Sequence, residues 1–508
     1  MRSLIEDGNR KLPSIRTIQP DRRRHAVARA ALMVGFGFLW VLTADVAWGL
    51  VVTAGPAGDY ATIQEAIDDA LSSPSGEEVR VQAGVIYAEN LVISVTDGRS
   101  FVVSGGWDAT FTNRNNDPTL TVVDGGSSDR VADVVVESGS TFFLQYLTFQ
   151  NGSVSGWGGG VRLQATSAGD VGVYHNIFKN NDSISTMGDS SDNWARGGGL
   201  YLEQTDTWTE VVGNRFLDNS ARVLLSTANQ NVAGGGVHAT LQDNAYLQFE
   251  NNLVDGCTCW GYQGTGSQKG YGCGVFISAQ FSTFDMKENA IVNSRVHGFA
   301  HVLGVAGALG WLSGGSVLER NRWQGATVAD CSSNEASLLG IILAYDEQIT
   351  QRSSLIADSP GIGLWVLSVG TATGGWQGGN LTIAGNGLEG VRSDNSGSGA
   401  HGLHNSLVFA NGADIVVADG TLEQGSNLTG TDPGCVNPAS GHFQLVPGAM
   451  ALEAGDNNPP GGLSTLDLGG EPRLQGTWVD VGAYEGTSMI WADGFESGDT
   501  TLWSDQIP

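Results

Sequence analysis

Asn176-Ile-Phe178-Lys-Asn180 returns along the chain as Asn214-Arg-Phe216-Leu-Asp218, Asn251-Asn-Leu253-Val-Asp255 and Asn289-Ala-Ile291-Val-Asn293, then more loosely at Asn321, Ser353, Asn380 and Asn405. A glycine-led apolar run precedes most of these by roughly 14 residues: Gly158-Gly-Gly-Val161, Gly197-Gly-Gly-Leu200, Gly234-Gly-Gly-Val237 and Gly272-Cys-Gly-Val275. The marks are spaced by about 38, 37, 38, 32, 32, 27 and 25 residues, the period of stacked units and not of one globular core. Each unit holds short alternating runs such as Val161-Arg-Leu163 and Val275-Phe-Ile277, which read as strands. Strands this short bury their apolar faces only when equivalent strands of successive coils stack. The expected fold is therefore all-β, a right-handed parallel β-helix (solenoid) with a short N-terminal capping helix.

Within that geometry the Asn suits a corner, because it tolerates left-handed backbone and bonds nearby main chain. Stacked coil upon coil, its amide also forms a ladder. The glycine runs allow close backbone approach where the chain re-enters the sheet. Phe178, Phe216, Leu253 and Ile291 are expected to share one interior column.

Thr62 and Glu65 form a capping box before Ile63, Ala66, Ile67 and Ala70, so a helix is expected to start there and stop near Ser72. Val79-Arg-Val81, Gly84 to Tyr87 with Glu89, and Leu91-Val-Ile93 follow. This start resembles the pectin lyase-like right-handed β-helix superfamily, whose members carry a similar helix over the open end of the solenoid. Asp432-Pro433, Phe443-Gln-Leu445, Asp467-Leu-Gly469, Pro472-Arg473 and Asp480-Val-Gly-Ala-Tyr-Glu485 resemble the closing region of bacterial choice-of-anchor proteins. The resemblance implies a fold and an exported chain, not a reaction.

Residues 1–49 combine Arg22-Arg-Arg-His25 with an uncharged run from Ala30 to Ala44 and small residues before Leu50, the plan of a secretory signal peptide. Residues 50–486 are read as the β-helix domain and 487–508 as a C-terminal tail, a candidate sorting segment. The expectation is a secreted or cell-surface protein, monomeric, with no integral membrane span in the mature chain.

The whole chain carries a formal charge of −28. Of 25 basic and 53 acidic residues, 17 and 49 lie after residue 49, a charge of about −32. Such a surface repels nucleic acid and polyanionic sugars, so no nucleic-acid partner is expected. Among five cysteines, Cys257, Cys259 and Cys273 fall in one inter-strand segment, where Cys273 is expected to pair with Cys257 or Cys259. Cys331 and Cys435 have no evident partner.

Irregular inserts are expected at 182–196, 221–233 and 257–271, side by side on one flank. Trp157, Trp194, Trp260, Tyr262 and Tyr271 are candidate ligand-binding residues, since aromatic faces beside acids suit neutral sugar rings. The bland reading is that they pack the inserts onto the sheets. Asp182, Asp189 and Asp192 are candidate Ca2+ ligands, although no cofactor is required.

Related polygalacturonases carry Asn-Thr-Asp, Asp-Asp, Gly-His-Gly and Arg-x-Lys signatures, and this sequence lacks that set. The reading is an adhesive or carbohydrate-binding protein whose partner is a polysaccharide or cell-surface glycan, leaning away from an enzyme. An extracellular polysaccharide lyase or glycoside hydrolase is the alternative. Acids clustered with an Arg in one flank groove favour the enzyme, and a flank of aromatics without such a cluster favours binding.

Overall fold

A computed structural model describes residues 50–73, 76–185, 194–224, 231–261, 269–299, 301–312, 315–331, 336–346, 348–370 and 372–486. The leader at 1–49, the tail at 487–508 and the candidates Tyr262, Asp189 and Asp192 lie outside the described residues.

The expected parallel β-helix is what forms. One coil shows the path: Val161–Thr166, Asp170–Tyr174, Ile177–Lys179, Asp182–Ser185 and Ala195–Arg196, before Leu200–Thr205 opens the next. Equivalent strands pair in parallel, building three long sheets. Sheet I has 11 strands from Leu91–Val95 to Ala413–Asp419, sheet II has 13 from Leu50–Ala54 to Leu422–Gly425, and sheet III has 12 from Val85–Ala88 to Leu428–Gly430. Alternation drives the burial: Leu91, Ile93 and Val95 point inward while Val92 and Ser94 point out.

The capping helix spans Ile63–Ser72 with Thr62 as its N-cap, as expected. Ile63, Ala66, Ile67 and Ala70 are fully buried against the first coils, joining the main core. Glu89 completes the cap by accepting the Ile63 and Gln64 N–H groups, each at 2.9 Å. No helix among the described residues is long and apolar enough to cross a membrane.

Phe149, Phe178 and Phe216 stack in the interior with ring centroids 5.5 and 4.7 Å apart. The column continues through Val254 and Ile291, not Leu253, which stands one place before the interior position. The ladder is displaced in the same way at that coil: it runs Asn176, Asn214, Asn252, Asn289, Asn321. Asn251 is instead the residue before the ladder and adopts φ 54°. The sequence motif assigns both jobs to one Asn, but the corner divides them. A left-handed residue (His175, Gly213, Asn251, Glu288, Arg320, then Ser353, Asn380 and Asn405) turns the chain, and the next residue enters the ladder. Ser354 therefore takes the place expected for Ser353, accepting the Asn321 N–H at 3.2 Å.

The inserts are more regular than expected. Their two ends are strands that form sheet IV, six strands from Ser153–Ser155 to Thr327–Ala329, and sheet V, four strands from Ala195–Arg196 to His301–Leu303. Between them lies a small separate core that includes Ala221, Val232, Cys259, Cys273, Val296 and Phe299. These sheets form a lobe beside the solenoid. After residue 430 the chain stops adding coils and folds back on the outside of sheet III, where Phe443, Leu445, Ala451 and Val481 bury Leu355, Ala384 and Leu407.

Candidate ligand-binding cleft

The structure separates the five aromatic candidates. Trp157 stacks on Tyr201 at 5.1 Å, and the row continues through His238 and Phe276 at 5.3 and 4.9 Å. Trp194 lies parallel to Tyr271 at 5.7 Å, and the Arg196 guanidinium stands 5.0 Å from each of the two tryptophan rings. Tyr201, His238, Phe276 and Tyr271 are buried, so these rings pack the lobe onto the outer face of sheet I. Burial also holds the His238 imidazole well below its ordinary pKa, leaving it neutral. Trp260 differs. It is 45% exposed on the outer face of sheet IV, with its ring 4.6 Å from that of His297.

Asp182 is engaged by protein groups. It pairs with Arg222 and accepts the Ser220 hydroxyl at 2.7 Å, while burial raises its carboxyl pKa. Among the described residues no three His, Cys, Asp or Glu side chains converge as a cation site.

A cleft of about 390 Å3 opens where sheets III and IV meet. The corner between them is a column of left-handed residues: Asp218, Gly256, Asn293 and Gly325, with φ of 51°, 67°, 52° and 71°. Polar side chains alternate here with glycines, and the glycines make the room. A Cβ on Gly256 would stand 2.5 Å from Asp218 Oδ1, and one on Gly325 would stand 3.0 Å from Asn293 Oδ1. Sheet III contributes Arg215, Leu217 and Asp255, and sheet IV contributes Arg295 and Thr327. Asn293 Nδ2 donates to Asp255 Oδ1 at 2.8 Å, which fixes that carboxylate against the corner.

The arginines set the cleft apart. Arg80, Arg99, Arg162, Arg222, Arg320 and Arg473 each pair with a carboxylate. Arg215 and Arg295 are exposed and have no ion pair or side-chain hydrogen bond with the described residues. Arg215 also acts on Asp117, whose carboxyl pKa is held low first by the Thr119 hydroxyl, with the guanidinium the smallest of the causes. Two coil steps separate Arg215 from Arg295, about 10 Å along the solenoid axis at the usual strand spacing. Trp260 and His297 stand two residues beyond Thr258 and Arg295 on their strands, hence on the same outer face. His297 Nε2 lies 2.8 Å from Asp330 Oδ2.

None of the aromatic or acidic sequence candidates among the described residues lines this cleft; Trp260 stands outside the lining, on the same outer face of sheet IV as Arg295. Asp218, Asp255 and Asn293 belong to the repeat motif itself, whose expected role is scaffold, while Arg215 and Arg295 are among the arginines available to a lyase and the sequence singles out neither. The available signal was that their positions point outward and carry charge in some coils and not in others. Compared with known proteins, the chain matches no family model and no curated protein sequence.

Proposed function

We propose that the protein is a secreted or cell-surface β-helix that binds a neutral polysaccharide in the cleft between sheets III and IV. The observation that carries this reading is the pair of unpaired guanidinium groups, Arg215 and Arg295, facing the same cleft as Asp218 and Asp255. Sugar hydroxyls both donate and accept, and the cleft supplies fixed donors and acceptors from successive coils. Trp260 offers an exposed apolar face for a ring on the same outer face of sheet IV as Arg295. The two arginines and two aspartates cancel formally, and the chain's −28 charge disfavours a polyanion.

A glycan array with the mature protein tests the reading. Arg215→Ala or Arg295→Ala alone is expected to weaken binding about 10- to 100-fold, since a lost charged hydrogen bond is worth ~1.5–3 kcal/mol. Trp260→Ala is expected to weaken it about 5-fold or more. Affinity for a neutral chain changes little between about 50 and 500 mM salt, whereas a steep fall would identify an anionic ligand. Absence of any glycan binding overturns the proposal.

Cleavage is the second reading, favoured by one observation: two carboxylates and two arginines share a single cleft, the combination that polysaccharide hydrolysis or elimination draws on. New reducing ends or unsaturated products, abolished by Asp255→Asn, would establish it over simple binding.

A further inference from the structure

The lobe contains three cysteines whose placement the glycan reading does not use. Cys259 and Cys273 are both fully buried in its core, and Cys331 packs against the same cluster from its edge. Cys257, the other partner open to Cys273 from the sequence, is committed elsewhere. It occupies the second interior ladder after Asn181 and Asn219, with its Sγ 3.6 Å from the Phe216 carbonyl.

Cys259 and Cys273 belong to one coil and face each other across the lobe. Cys259 stands on the sheet IV strand Thr258–Trp260, and Cys273 lies just beyond the sheet V strand Lys269–Tyr271. In the preceding coil the same two places hold Ala221 and Gly235, and in the following coil Val296 and Val305. Ala221, Val296 and Val305 belong to the same small core, so these places meet at the centre of the lobe. The two thiols also interact directly, burial and this contact raising the Cys273 pKa.

We propose that Cys259 and Cys273 form a disulfide that staples the lobe behind the cleft. Each thiol loses its hydrogen, one S–S bond forms, and the two electrons and two protons pass to a small-molecule or enzymatic disulfide, which is reduced to two thiols. Both sulfurs are sealed from solvent in the closed lobe, so the bond forms while the chain folds or when the lobe opens. The strand that carries Cys259 also carries the exposed Trp260, so the staple anchors that strand. The inference is independent of what the cleft binds.

The test uses the full chain equilibrated in oxidised and reduced glutathione and then mapped by mass spectrometry without reduction. One Cys259–Cys273 linked peptide is expected, with Cys257, Cys331 and Cys435 all open to alkylation after unfolding. A link through Cys257 or Cys331, or five alkylated thiols, overturns the proposal. Adding a reductant to the oxidised protein should lower its Tm by about 3 °C, the scale expected of a loop of about 15 residues in a chain of this size. The Cys259→Ala/Cys273→Ala variant should lose that response, and Cys331→Ala should keep it. A full reductant response in the double variant would sink the assignment even if the peptide map were ambiguous.

Discussion

Asn214→Leu destabilises the solenoid by roughly 3–5 kcal/mol, among the largest effects expected of any single polar residue in the fold. Asn214 is fully buried, and its amide links the coils on either side of its own. Its Oδ1 accepts the Asn176 N–H at 2.9 Å, while its Nδ2 donates to the Val173 carbonyl at 2.8 Å and to Asn252 Oδ1 at 3.2 Å. Leucine fits the volume but strands these partners away from water, and each abandoned group costs ~1–3 kcal/mol. The ladder is continuous, so the loss is shared by the coils on both sides. Urea denaturation followed by circular dichroism measures it. The adjacent pair Asn251 and Asn252 supplies the control. Asn252→Leu should cost about as much as Asn214→Leu, whereas Asn251→Gly, at a left-handed corner, should cost under about 1 kcal/mol. Equal losses at 251 and 252 would refute the division of labour at the corner.

That pair also marks where the sequence stops being readable. The period, the strands and the capping helix follow from local chemistry: alternation, a capping box, and an amide that recurs at one phase. Register at the third coil does not. Asn251 and Asn252 both fit a spacing near 38, and Leu253 and Val254 are equally apolar, so only the hydrogen-bonded pairing chooses between them. The later marks Ser353, Asn380 and Asn405 mislead for a related reason. They are the left-handed residues, and the ladder positions beside them hold Ser354, Leu381 and Ser406.

The lobe strands were illegible because runs of two to four residues, such as Ala195–Arg196, carry no measurable period. The cleft was hidden differently. Arg215, Asp255 and Arg295 lie on three successive coils and two different sheets, so their convergence depends on how each coil turns at its corner. Nothing in their local sequence encodes that angle. Aromatic residues in the inserts drew attention because they were conspicuous, yet Trp157, Trp194 and Tyr271 pack the lobe. Trp260 alone among the described candidates is both conspicuous and open.

Arg473→Leu loosens the C-terminal segment by about 3–5 kcal/mol, and the loss grows with pH. Arg473 and Glu485 are 2% and 1% exposed, with Nε 3.1 Å from Oε1. The guanidinium also donates to the Asp480 and Gly482 carbonyls at 2.8 and 2.7 Å. Asp467 and Asp480 crowd the same cation, so one positive charge serves three carboxylates. Burial outweighs the arginine and pushes Glu485 up to about 8 from its ordinary 4.5, and it raises Asp480 as well. A raised carboxyl pKa means that the folded chain keeps a proton the unfolded chain has released. Stability from Glu485 is therefore full below about 4.5, declines as pH climbs, and is lost above about 8. The slope is at most ~1.4 kcal/mol per pH unit for a single group. This cluster matters because the adjoining backbone is stitched to the solenoid: Asn380 Nδ2 donates to the Asp480 carbonyl, and the Ala483 N–H to Thr382 Oγ1, both at 2.9 Å. Amide protection of the paired strands Cys435–Asn437 and His442–Leu445 reads the docking directly. In the unaltered protein that protection should fall between pH 5 and 8. Glu485→Gln, which cannot ionise, should flatten most of the slope, whereas Arg473→Leu, with its cation gone, should carry the decline beyond pH 8. A Glu485→Gln variant with an undiminished slope would show that other groups govern the docking.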